Sequence, residues 1–288
     1  MAIETTSGNT TLLQSQVQEL LVTPLEQQST FLAAGPQIID SNQQVRIPRI
    51  VSGTTAGFVG EGQLISDGSV TFDEVTALPS TLESIKVWLP VSNELLRGSA
   101  VKGLDAILKT RLVTDVSNAL DSALWDGAGT SNTIKGILKQ TGIVTGDLDL
   151  TDVDSLIDAL ATAQGNFVSP THWVMTPASF AAFRKIKVGT TDARYVIDPQ
   201  TVQNGTSFQL LGLPVIITNH IPNVSGRARI ALVDFSKVAV IRDNDSEVYV
   251  AKDTLANYDT QAIRVTCRFD VALLQPKAVT VLTVPSGG

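Results

Sequence analysis

Ile85-Lys-Val-Trp-Leu-Pro-Val-Ser92, followed by the patterned run from Leu95 to Asp126, decides how this chain folds. Ile85, Val87, Leu89 and Val91 alternate with Lys86, Trp88 and Pro90, the period of a strand with one covered face. From Ser92 onward the period changes. Leu95, Val101, Leu104, Ile107, Leu108, Leu112, Val116, Leu120 and Leu124 recur at the three-or-four spacing of one helical face. Gly98 and Gly103 weaken the first turns, and Gly127 stands where a left-handed C-terminal cap belongs. A helix over about 100–126 is roughly 40 Å long. Its first half is basic, with Arg97, Lys102, Lys109 and Arg111 against Asp105.

Upstream, Val45-Arg-Ile-Pro48, Gly57-Phe-Val-Gly60 and Val70-Thr-Phe-Asp-Glu-Val75 read as strand pieces separated by Gly60, Gly62, Ser66-Asp67 and Gly68. This predicts a long hairpin or loop, too poor in large apolar residues to bury a core alone. Between Ile50 and Ile85 there is no Lys or Arg, while Glu61, Asp67, Asp73, Glu74 and Glu83 are acidic. The first 45 residues also lack cations and carry Glu4, Glu19, Glu26 and Asp40. They read as an arm that needs a partner, with a short helical patch at Leu12, Leu13, Val17, Leu20 and Leu21.

Downstream lies an α/β region. Thr151 with Asp154 reads as a capping box for a helix carrying Val153, Leu156, Ile157 and Leu160 and closed by Gly165. Thr176-Pro177 reads as a cap with proline at the first helical position. Trp173–Met175, Pro214–Thr218, Arg229–Val233, Lys237–Arg242 and Val248–Val250 are expected strands. In Ala262–Phe269, Ile263, Val265, Cys267 and Phe269 face opposite to Arg264, Thr266 and Arg268.

Composition narrows the function classes. The 288 residues are 43% hydrophobic and 17% charged, which fits a folded chain with a sizeable core. No apolar run approaches the roughly 18 residues of a membrane span, and the start lacks a secretory signal. Net charge is −7, which disfavours tight binding to a polyanion. One cysteine, Cys267, excludes an intrachain disulfide, fits a reducing compartment and reads as a small buried hydrophobe.

Catalytic and metal-binding signals are sparse. His172 and His220 are the two histidines, neither at metal-ligand spacing, and both read as strand ends. No nucleophile elbow or phosphate loop occurs, and Gly127-Ala-Gly129 follows a helix, the wrong context for a dinucleotide fingerprint. No cofactor or metal is expected. Asp147-Leu-Asp149-Leu-Thr151-Asp152 has Asp152 where a calcium loop needs glycine, so the capping reading is preferred. Asp243-Asn-Asp245-Ser-Glu247 reads as a hairpin turn in preference to a cation site.

The order of arm, acidic hairpin, long helix, α/β unit and returning strands resembles the major capsid proteins of tailed bacteriophages, those with the Hong Kong 97 shell fold. Six stretches carry the resemblance. They are Phe58-Val-Gly-Glu61 with Phe72 and Val87–Leu96; Leu124-Trp-Asp-Gly127-Ala-Gly129-Thr with Lys135–Leu138; Trp173-Val-Met-Thr-Pro177-Ala; Leu211-Gly-Leu-Pro214-Val; Leu232-Val-Asp-Phe235-Ser; and Gln261-Ala-Ile-Arg264-Val with Arg268. The similarity as a whole covers the chain from about residue 40 to the end.

What the resemblance implies is an α+β protein, not an enzyme, whose activity is self-assembly into the icosahedral shell around a tailed phage's double-stranded DNA. By analogy, 1–45 is the N-terminal arm, 46–90 the extended loop and 91–140 the peripheral domain with its spine helix. Residues 141–242 are the axial domain, 243–276 the peripheral return strands and 277–288 a C-terminal strand and tail. Its partners would be further copies in pentamers and hexamers, with separate scaffolding, portal and decoration proteins, in a virion assembled in the host cytoplasm. DNA would be enclosed without sequence-specific binding, and no membrane is involved. Some relatives carry a scaffold segment ahead of the arm; this sequence opens at the arm, so scaffolding from a separate protein, or none, is expected. Some crosslink through a lysine in the extended loop, whereas no lysine lies between Arg49 and Lys86, so a non-covalent shell is expected.

Charge then predicts a contact between copies: Glu61, Asp67, Asp73 and Glu74 of one loop against Lys102, Lys109 and Arg111 of a neighbour's helix. The rival readings are an encapsulin-like cargo shell of the same fold, a tail component, which the long helix disfavours, and more remotely an α/β enzyme using His172 or His220.

Overall fold

The alternating segment forms strand β4 (Ser84–Ser92), and the alternating segment near the C-terminus forms β12 (Thr260–Leu273). The computed structural model describes residues 29–41, 43–52, 58–60, 62, 71–77, 84–92, 104–130, 133–187, 208–243, 247–255 and 258–286, and structural statements concern these. The two strands pair antiparallel from Ser84↔Arg268 to Ser92↔Thr260. Ile85, Val87 and Leu89 join Val265, Cys267 and Phe269 in one core, while Lys86, Trp88, Pro90 and Arg264 are exposed. Helix α1 (Leu104–Asp126) packs its buried Leu112, Val113, Val116, Leu120, Leu124 and Trp125 into that core. Its 23 residues span about 35 Å. The expected start near residue 100 lies outside the described residues.

Across β12 from β4 run β10 (Val238–Arg242) and β11 (Glu247–Leu255), both antiparallel to β12. Running the same way, β10 and β11 do not form the hairpin expected around Asp243–Glu247, and residues 244–246 lie outside the described residues. Arg242 stands opposite Phe269 and Glu247 opposite Thr266. Asp243 stays in register there, its N–H donating to the Arg268 carbonyl at 3.0 Å. Its buried carboxylate accepts from Arg268 Nη1 at 2.8 Å.

The end of the leader belongs to this body. Strand β1 (Gln37–Asp40) pairs parallel with β10, and Phe31 is fully buried against Trp125 and Phe235. Asp121 of α1, also buried, accepts from Ser29 Oγ, from Thr30 N–H at 2.8 Å and from Thr30 Oγ1 at 2.7 Å. The reading of all 45 leading residues as an arm therefore fails for Ser29–Asp40, because an aromatic anchor and a buried carboxylate tie them down.

A second sheet has the order β5-β13-β9-β6-β8-β7. Its strands are β5 (Val144–Asp147), β6 (His172–Met175), β7 (Gln209–Leu210), β8 (Leu213–Ile217), β9 (Arg229–Val233) and β13 (Val279–Thr283). β13 lies inside it, parallel to β5 and antiparallel to β9. Helices α2 (Asp154–Gly165) and α3 (Pro177–Arg184) bury Leu156, Ala159, Phe180 and Phe183 with Trp173 and Leu232 in a separate core. Thr176 caps α3 as expected, its hydroxyl accepting from Ser179 N–H at 3.3 Å. The capping box at α2 does not form. Thr151 instead donates through N–H and Oγ1 to Asp149 Oδ1, and Asp152 Oδ1 accepts from Val153 and Asp154 N–H. The nearer carboxylates take those donors first.

Strands β2 (Val45–Ser52) and β3 (Thr71–Ala77) form an antiparallel ribbon of their own. Its base is anchored on the body, where Val45, Ile47, Val75 and Ala77 pack with Ile39, Ala239, Ile241 and Ala272. Phe58–Gly60 lie outside any strand, contrary to the strand piece expected there.

Gly127 is not a left-handed cap; Gly129 has the positive φ, at 67°. A Cβ on Gly127 would sit 2.0 Å from the Ile134 carbonyl oxygen, and one on Gly136 would sit 2.5 Å from the Gly127 nitrogen. The two glycines are needed because two backbones touch where the chain folds back after α1.

Candidate inter-subunit surfaces

The charges singled out in the sequence fall in three places. Asp73 and Glu74 are exposed on β3, where Glu74 lies 3.6 Å from Arg46 across the ribbon. Arg111 is exposed on α1 and held to Asp115 one turn on, at 3.0 Å. Both pairs are solvated surface pairs of small energetic weight. Lys109 lies within α1, with its side chain outside the description; Glu61, Asp67 and Lys102 lie outside the described residues. Within one copy the described acids of the ribbon are not brought against Arg111.

A different row of residues, not picked out by charge, is assembled by strand register. Trp88 on β4 stands opposite Arg264 on β12, which stands opposite Tyr249 on β11. Directly opposed residues share a face with Cβ atoms about 5 Å apart. The Arg264 guanidinium carbon lies 5.2 Å from the centre of the Tyr249 ring, within cation–π range. Trp88 is 46% and Tyr249 49% exposed, so two large aromatics flank a cation on an uncovered sheet face. The alternation of β4 and β12 places Trp88 and Arg264 on their outer faces, but the register that aligns them with Tyr249 exists only in the folded sheet.

The ribbon's outer part carries the most exposed apolar side chain described. Phe58 is wholly exposed and Val59 is 42% exposed. This contrasts with the packed base of the same ribbon.

Of the residues weighed for chemistry, His172 and Asp149 hold their side chains in ordinary structural bonds. His172 opens β6, with Nδ1 3.0 Å from Thr171 Oγ1 and its ring edge-on to Phe235 at 5.3 Å. Burial pushes its pKa below the usual histidine value. His220 follows β8 and donates its backbone N–H to Thr218 Oγ1 at 3.2 Å. Asp149 lines a groove of about 720 Å³ beside β5 together with Asp147, Asp158 and Leu282. The two Thr151 bonds hold its carboxyl below the usual range. Cys267 is buried in the α1 core, where desolvation pushes its thiol up to about 12. Among the described residues, no group of three or more His, Cys, Asp or Glu is placed to hold a metal. No described helix is long and apolar enough to cross a membrane.

The architecture recurs in solved particles. The chain matches the structure titled "Capsid of native GTA particle computed with C5 symmetry" with a TM-score of 0.74, 19% identity, and coverage of 90% of this chain and 91% of that one. It matches that of Mycobacterium phage Adephagia with a TM-score of 0.67, 18% identity and coverage of 90% and 91%. A major capsid protein of Klebsiella oxytoca phage phiKO2 is 24% identical over 314 residues, covering 98% of this chain and 70% of that protein. The phage capsid family matches residues 9–284, nearly the whole of the sequence, and the chain belongs to that family.

Proposed function

We propose that this chain is the major capsid protein of a tailed phage, whose copies close into an icosahedral shell around double-stranded DNA. The observation that carries this is the β2–β3 ribbon, which pairs only with itself among the described strands and presents a wholly exposed Phe58 beyond them. Such a ribbon gains a cover only from another copy. Its activity is association, not catalysis, in line with the structural bonds that hold the side chains of His172 and Asp149.

In this reading 46–90 is the extended loop, 91–140 and 243–276 build the peripheral domain around α1, and 141–242 the axial domain. Residues 277–288 hold β13, which closes the second sheet, and the arm ends before Ser29. Copies join in pentamers and hexamers. Glu61, Asp67, Asp73 and Glu74 of one copy face Lys102, Lys109 and Arg111 of the next, setting register more than affinity. A net charge of −7 suits a container that does not adhere to DNA. Assembly in the host cytoplasm with separate scaffolding, portal and decoration proteins completes the proposal. The ribbon offers no lysine between Arg49 and Lys86, so subunits are held without covalent links.

The test is electron microscopy of the purified protein, which should show closed particles. Lys102→Glu with Lys109→Glu should leave the subunit folded and reduce particle yield. Material that never associates overturns the shell reading; unaltered particles from the double variant overturn the charge contact.

A further inference from the structure

We propose that the open edge of β5 is a docking strand for an extended basic peptide of another protein, which joins the second sheet and sets alternate side chains in the groove between β5 and α2. The inference goes beyond the shell reading and does not depend on it.

The edge is the first observation. β5 ends the sheet order, and among the described strands it pairs only with β13. Leu148, just past β5, donates its N–H to the Thr283 carbonyl at 3.0 Å and so continues the parallel ladder. Alternate residues of such a strand turn their backbone groups to opposite sides, so Thr145 and Asp147 direct N–H and C=O away from β13. Groups so placed can take one more strand. In that mode of recognition main-chain bonds give affinity, and pockets for every second side chain give choice.

The second observation is the groove, about 720 Å³ along β5, which supplies those pockets. Asp158, Ala159 and Thr162 of α2 line it together with Leu282 and Val284. Its walls are apolar and its charged groups are acids, Asp147, Asp149 and Asp158. A side chain with an apolar stem and a cationic head, lysine or arginine, satisfies both.

Charge identifies the occupant. Asp147, Asp149, Asp152, Asp154 and Asp158 are all exposed, and no Lys or Arg occurs between Lys139 and Arg184. Charge is a common guard on an open strand edge, and an acidic guard turns away acidic strands while admitting basic ones. That excludes this chain's own leader, whose first 45 residues contain no cation. Nor does a described edge strand of a second copy fit. β1, β3 and β7 carry no cation, and β4 and β11 one each. β2 sets Pro48, which has no N–H to donate, between Arg46 and Arg49.

The probe is a fluorescent eight-residue peptide alternating lysine and valine, added to purified full-length protein and followed by anisotropy. Saturable binding is expected. Asp147→Lys with Asp158→Lys should weaken it at least tenfold. Methylating alternate backbone nitrogens of the peptide, which blocks strand pairing and keeps the charge, should do the same. Amide exchange should slow at Thr145 and Asp147 and stay unchanged in β7, the sheet's other edge. No binding, equal binding of a glutamate–valine peptide or of the methylated one, or unaltered exchange at Thr145 and Asp147 overturns the inference. So does a peptide that binds dissociated subunits but is shut out of particles, which gives the groove to a neighbouring copy. If the aspartate variant does not fold, the methylated peptide and the exchange decide. Whether particles form at all bears only on the shell reading.

Discussion

The guanidinium of Arg229, the first residue of β9, lies 2.6 Å from the carboxylate of Asp126, the last residue of α1. Arg229 is 4% exposed and also donates Nε–H to the Pro222 carbonyl at 2.7 Å. Lys139 reaches the same aspartate, with Nζ 3.3 Å from the carboxylate and 2.8 Å from its carbonyl. One residue thus ties the long helix to the second sheet.

Asp126→Ala strands a buried arginine and should cost about 3 to 5 kcal/mol. That lowers Tm by roughly 5 to 8 °C at this chain size. Arg229→Met with Asp126→Leu should recover much of the loss, because no unpaired charge remains buried. Thermal melting of the three proteins checks the order.

Asp121 holds the root of the leader through Ser29 and Thr30. Asp121→Ala leaves buried donors without their acceptor and should cost about 2 to 3 kcal/mol. The opening should be local first. Hydrogen exchange at Thr30–Leu32 is expected to rise before exchange in β9 changes, and limited proteolysis should cut near residue 35.

Cys267 makes stability fall in alkali. Its thiol sits at about 12 in the folded chain against an ordinary 9.0. The unfolded chain therefore releases the proton first. Stability is unaffected below about pH 9 and declines by up to roughly 1.4 kcal/mol per pH unit from there toward 12. Denaturant titrations of the Cys267→Ala variant should lack this component of the slope. A thiol reagent at pH 8 should label the native protein far more slowly than the unfolded one.

Gly127→Ala should disrupt the chain reversal after α1, since the added methyl would fall 2.0 Å from the Ile134 oxygen between two backbones. The expected outcome is a loss of soluble protein or a steep drop in Tm. Gly165→Ala provides the contrast. It is the last residue of α2, nothing stands within 4 Å of its new Cβ, and the change should stabilise by about 0.4 to 1 kcal/mol.

The sequence made legible what depends on one face of one element. The alternation of Ile85, Val87 and Leu89, the spacing from Leu112 through Leu124 and the Thr176-Pro177 cap each report a local environment, and each has its expected place. What was hidden depends on which strands meet. Asp243–Glu247 has the composition of a hairpin turn, yet both flanking strands run antiparallel to β12 and so cannot be a hairpin with each other. Thr151 and Asp154 have capping-box spacing, but Asp149 and Asp152 compete for the same donors. Charge drew notice to Arg111 and Glu74, whereas the alignment of Trp88, Arg264 and Tyr249 is a matter of register. Register is fixed by the whole sheet and leaves no trace in a single segment.

β13, formed by Val279–Thr283, is laid between β5 and β9, strands made much earlier in synthesis. A nascent chain still on the ribosome cannot complete that sheet until residue 283 has emerged. A chain cut short before Val279 therefore leaves β5 and β9 without the strand that joins them, and its second sheet falls into two pieces.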